Sequence, residues 1–159
     1  MMEYILENEQ LKVTVSDAGA EIRSIVGKKT GTEYLWQGDP TYWAGRAPVL
    51  FPICGRLTEG KYTWKGQTYE MNLHGFARRS VFTAEKVGDH TVTFLLTANE
   101  ETKKMYPFDF EFRMTYTLTD STVECRYDVK NEKESDLPFA VGGHPGFNVP
   151  MEAGKNFED

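Results

Sequence analysis

Two histidines in glycine-rich surroundings are the residues of this chain best suited to moving protons near neutral pH. His74 sits in Leu73-His74-Gly75-Phe76-Ala77-Arg78-Arg79, and His144 in Gly142-Gly143-His144-Pro145-Gly146-Phe147-Asn148. The neighbouring glycines let a ligand or another backbone segment come close. The aromatic two or three residues further on offers a flat apolar surface suited to the C–H face of a sugar ring. The residues alone leave two readings open, because a histidine beside glycine in a turn also serves purely structural ends. The third histidine, His90, follows Gly88-Asp89 and reads as a solvated loop tip.

Arginine is the second chemical resource. Arg46 and Arg56 stand in the Pro/Gly-rich run from Trp43 to Leu57, among many apolar residues. A guanidinium there must keep its head in water or find an acceptor. Pairing with a carboxylate at the rim of the fold and hydrogen bonding to vicinal hydroxyls both satisfy that need. Metal chemistry has little support: His74, His144, Cys54 and Cys125 lack the short ligand spacing of a zinc site. The Gly142–Gly146 run lacks the lysine and hydroxyl residue of a phosphate-binding loop, and Ser80 is not in a nucleophile elbow.

These residues must be positioned by strands, because period-2 alternation dominates the chain. From Phe108 to Leu118 every even position is apolar and every odd one polar, and the alternation resumes at Val123, Cys125, Tyr127 and Val129. Thr119-Asp120-Ser121 between them predicts a hairpin. Further strands are predicted over Leu11–Val15 and Ala20–Val26, with hairpins around Lys65-Gly66-Gln67 and Gly88-Asp89-His90. The segment from Asn99 to Met105 reads as one short helix, opening on an asparagine cap and stopping before Pro107. Many short strands with turns between them predict an all-β sandwich or barrel. The alternation breaks from Asp39 to Arg56 and from Leu137 to Asn148, and irregular backbone amid regular strands is where function concentrates.

The composition excludes several classes. The chain has 159 residues, with 24 acidic against 18 basic side chains and a net charge of −6, which argues against a nonspecific nucleic-acid binder. A 40% hydrophobic content with 26% charged residues is that of a globular domain rather than a disordered one. No apolar run approaches the roughly 18 residues a membrane helix needs. Met1 to Glu7 has neither a basic nor a long apolar region, so no signal peptide is read there, the expected location is the cytoplasm, and Cys54 and Cys125 are expected to be buried thiols.

Taken together, Val49-Leu50-Phe51-Pro52-Ile53-Cys54-Gly55-Arg56-Leu57, His74-Gly75-Phe76-Ala77-Arg78 and Gly143-His144-Pro145-Gly146-Phe147-Asn148 resemble the aldose 1-epimerase (galactose mutarotase-like) family, in particular its LacX-type branch. The resemblance implies an antiparallel β-supersandwich, no cofactor, and interconversion of the α and β anomers of a free hexose-type aldose. It implies that Arg56 binds substrate, that His74 binds or polarises near the ring oxygen, and that His144 is the general acid that protonates O5. Phe76 and Arg78 belong to the motif and are expected to line the pocket. The family's general base is a glutamate in the C-terminal half of chains close to twice this length, and Glu152 and Glu158 match no motif. Residues 1–159 therefore read as the N-terminal portion of a single sandwich domain, weak or inactive alone, that self-associates or needs a C-terminal half. A non-catalytic sugar-binding module is the alternative.

Overall fold

The computed structural model describes residues 1–152 and 154–158. Its regular elements are antiparallel sheets. β1 (Glu3–Glu7), β2 (Leu11–Ser16) and β3 (Ile22–Gly27) form a meander. β7 (Thr83–Gly88), β8 (Thr91–Thr97), β9 (Phe110–Thr119) and β10 (Thr122–Asn131) form a four-stranded sheet in the order β10-β9-β8-β7. Two ribbons complete the set. One pairs β5 (Lys61–Trp64) with β6 (Gln67–Glu70), and the other pairs β4 (Val49–Leu50) with β11 (Gly142–Gly143).

The alternation in β9 does what its period requires. Phe110, Phe112, Met114, Tyr116 and Leu118 are all 3% exposed or less, while the intervening residues are only half-buried. Across the ladder Met114 faces Phe94 and Phe112 faces Leu96, so two apolar stripes fuse into one core. On the opposite face Thr93 and Thr115 share a 3.0 Å hydroxyl contact. The Tyr116 hydroxyl, fully buried, donates to the Ala20 carbonyl at 2.6 Å and so ties this sheet to the meander.

The helix α1 spans Glu100–Met105, and Asn99 and Thr102 form a reciprocal capping box at its start. Three details differ from the sequence expectation. β9 begins at Phe110, and Phe108 is buried ahead of it against Tyr106 and Trp64. The strand leading into the Gly88-Asp89-His90 hairpin, expected from Val81 onward, begins as β7 at Thr83 and leaves Val81 exposed. Cys54 and Cys125 are free thiols as expected, but both residues are exposed rather than buried. Cys125 alternates in phase with the core, yet β10 is the sheet's outer strand, and Cys125 lines an open apolar cavity with Ile22, Val123 and Phe147.

Candidate active site

Phe51 is the hinge on which the site is built. Its ring is fully buried and stacks on Phe112 with centroids 4.5 Å apart. Its carbonyl accepts from the backbone N–H groups of Phe76 and Ala77, at 3.0 and 3.2 Å. This contact lashes the His74–Arg78 segment to the Val49–Leu57 segment. Gly75 makes the approach possible: its φ is +71°, and a Cβ there would lie 2.2 Å from the Phe51 carbonyl oxygen.

His74 is held from two directions. Its N–H donates to the Gly55 carbonyl at 2.8 Å, and the Gly55 N–H donates to its Nδ1 at 2.9 Å. An Nδ1 that accepts carries no proton, so the neutral ring bears its hydrogen on Nε2 and presents a donor away from Gly55. His74 also has φ of +65°, an uncommon conformation for a residue with a side chain. Burial holds its pKa below the usual 6.5, and the nearby Arg78 and His144 push it in the same direction.

His144 arrives from the far end of the chain. β11 pairs antiparallel with β4, Gly142 opposite Leu50 and Gly143 opposite Val49. The His144 N–H then donates to the Pro48 carbonyl at 3.1 Å, and the Gly146 N–H to the Arg46 carbonyl at 2.8 Å. The Asn148 side-chain amide closes the segment on the carbonyls of Glu33 and Leu35, at 2.8 and 3.0 Å. His144 is exposed, and its ring lies edge-on to Trp43 with centroids 5.3 Å apart. The two imidazoles are 6.0 Å apart, centroid to centroid, tilted by 47°. That spacing lets both reach one small ligand, one ring by a fixed N–H and the other by an imidazole open to solvent.

The remaining expected residues divide. Arg56 is exposed one residue beyond the Gly55–His74 contact, and it lines a cavity of about 520 Å³ together with Arg78, Arg79, Asn72 and Glu59. Arg78 donates to the Leu73 carbonyl at 3.0 Å, while its Nε is buried without a partner. Phe76 lies elsewhere: it is 6% exposed, its ring among Phe51, Tyr106 and Phe110 in the aromatic core. Successive positive φ angles at His74 and Gly75 turn the chain so that the next side chain points inward. Arg46 donates to the Arg23 carbonyl at 2.8 Å and its own N–H meets the Glu21 carboxylate at 3.1 Å, which is a structural role. His90 occupies an exposed turn, as expected. Among the described residues no cluster of His, Cys, Asp and Glu could hold a metal ion. Sequence reading missed Trp43 and Arg79. Trp43 stood in the irregular run from Asp39 to Arg56, and Arg79 adjoined the histidine motif, but neither carried a spacing signal.

Comparison with known proteins gives one consistent picture. The family model described as aldose 1-epimerase matches residues 2–159. The chain is 41% identical over 160 residues to protein LacX of Lactococcus lactis subsp. lactis, an alignment covering 97% of this chain and 53% of that protein. The crystal structure of a galactose mutarotase related enzyme from Lactobacillus acidophilus superposes with a TM-score of 0.95 at 48% identity, over 98% of this chain and 52% of that one. A galactose mutarotase-like protein from Lactobacillus casei gives a TM-score of 0.91 at 39% identity, over 96% and 52%. The chain thus spans about half the length of the relatives it matches. No helix among the described residues is long and apolar enough to cross a membrane.

Proposed function

The chain belongs to the aldose 1-epimerase family, and from that premise we propose that it carries the histidine side of a mutarotase site. His144 protonates the ring oxygen O5 of a bound aldose. His74, neutral and donating through Nε2, holds the same region of the sugar in place. Arg56 binds sugar hydroxyls from the adjoining cavity rim, with Arg78 beside it. As O5 takes the proton, the anomeric O1 hydroxyl loses its own, the C1–O5 bond breaks, and the aldehyde rotates before the ring closes on its other face. The single observation that carries this reading is the 6.0 Å approach of two imidazoles from segments 70 residues apart, 74 against 144.

The proton at O1 needs a base. The influences on His74 are burial, Arg78 and His144, with no carboxylate among them. We assign the base to a glutamate outside the three motifs, of the kind the family places in its second half. A positioned proton-transfer group is worth about 10²–10⁴-fold in rate. The 159-residue chain is therefore expected to mutarotate glucose or galactose slower than a full-length relative by about that factor. Polarimetry on the purified chain tests this, and family-like turnover would contradict it. Sugar binding with no turnover at all would favour the alternative of a binding module.

A further inference from the structure

We propose that the free edge of β10 is a self-association surface, on which a second copy of this chain pairs antiparallel about a two-fold axis at Tyr127. This surface lies on the outer strand of the four-stranded sheet, and nothing about it depends on the mutarotase reading.

The four-stranded sheet ends on two edges of different build. β7 is six residues long, and its register with β8 shifts between Ala84 and Lys86, a bulge of the kind that blunts an edge. β10 runs ten residues, Thr122–Asn131, in unbroken register with β9 and contains no proline. Among the described residues no strand pairs with its outer side. A long regular edge of this kind presents unpaired N–H and C=O groups and is a template for another strand.

The side chains of β10 select which strand fits. Val123, Tyr127 and Val129 pack against the core on one face, while Glu124, Arg126, Asp128 and Lys130 alternate in charge along the other. Antiparallel pairing of two copies about Tyr127 sets residue 124 opposite 130 and residue 126 opposite 128. Glu124 then meets Lys130, and Arg126 meets Asp128, each of them twice across the axis. An axis at Arg126 would instead set Glu124 against Asp128, and one at Asp128 would set Arg126 against Lys130, like charges in both cases. Within the chain Arg126 pairs with Asp128 along the strand, and Glu124 has no ion-pair partner among the described residues. On the apolar face the exposed thiol of Cys125 comes opposite Val129 of the second copy, so the apolar stripe of one copy runs on into the other.

Sedimentation equilibrium of the purified chain between about 1 μM and 1 mM tests the proposal and should show a monomer–dimer equilibrium. Glu124→Lys sets like charges opposite each other twice and should weaken the dimer at least about tenfold, and Lys130→Glu should do the same. Mixing these two variants restores opposite charges at both positions, so a heterodimer should form about as tightly as the parent dimer. Both positions are exposed, so each variant should keep a native-like amide spectrum. Val129→Cys, in a Cys54→Ser background, should cross-link on mild oxidation through Cys125 of the second copy, because that register brings the two Cα atoms to about 4.5–5.5 Å. Two Cys125 residues lie four positions out of step, about 14 Å apart, so Cys54→Ser alone should not cross-link. A monomer at every concentration, a dimer indifferent to Glu124→Lys, or a mixture no tighter than either variant alone would overturn the proposal. Cross-linking through Cys125 alone, as fast as with Val129→Cys, would overturn it as well.

Discussion

The two histidine anchors are built in opposite ways. His74 is half-buried, locked by reciprocal hydrogen bonds to Gly55 and held in a left-handed backbone conformation. His144 is exposed, and its ring is positioned by the edge of Trp43 and by the backbone pairing of β11 with β4. The hydrogen bond from the Gly55 N–H to Nδ1 fixes the Nε2–H tautomer of the neutral His74 ring, so it presents a donor. A ring open to solvent can exchange its proton on each turnover. The contrast fits the proposed division of labour, in which His74 holds the sugar and His144 moves the proton.

The comparison can be broken most severely at Gly75. Gly75→Ala puts a methyl group against the Phe51 carbonyl at a positive φ, where the contact is to backbone and cannot swing away. A loss of about 3 kcal/mol or more is expected in denaturant unfolding. Trp43→Ala should cost less, about 2 kcal/mol for a half-buried aromatic, and should broaden the His144 ring resonances while leaving those of His74 sharp. The histidines themselves should separate next. His74→Ala removes the acceptor for the Gly55 N–H and should destabilise by about 1–2 kcal/mol. His144→Ala, at an exposed position, should stay within about 0.5 kcal/mol of the parent.

The smallest effect concerns pH. The folded-state pKa of His74 lies below 6.5, so protonation favours the unfolded chain. Stability from the neutral ring is complete above pH 6.5 and is lost as pH falls through the lower folded value. The stability gap between the parent and His74→Asn should therefore narrow on acidification from neutral pH. Because Arg78 depresses this pKa more than His144 does, Arg78→Gln should raise the His74 midpoint further than His144→Gln. An imidazole titration followed by NMR measures both.

The strands were legible because burial of one face imposes period 2, and β9, its hairpin to β10 and the β5–β6 ribbon all carry that signature. The site was legible only as a set of residue types. β4 and β11 are two residues each, too short for any periodicity, yet their pairing is what brings His144 to His74. The tautomer of His74 depends on a hydrogen bond from Gly55, 19 positions away, which no local pattern encodes. Phe76 shows the same limit from the other side: its motif pointed to the pocket, but the backbone turn at His74 and Gly75 sends its ring to the core. Cys125 follows the apolar alternation and is still exposed, because sequence period gives the face of a strand and not whether a layer covers it.

The central claim is that both imidazoles meet one sugar, and histidine-selective NMR during a hexose titration tests it most directly. The account predicts that the ring signals of His74 and His144 move along one binding curve, and that the shift of the remaining ring is lost when the other is replaced, in His74→Asn or His144→Asn. A single histidine responding, or two histidines responding with different affinities, would contradict it.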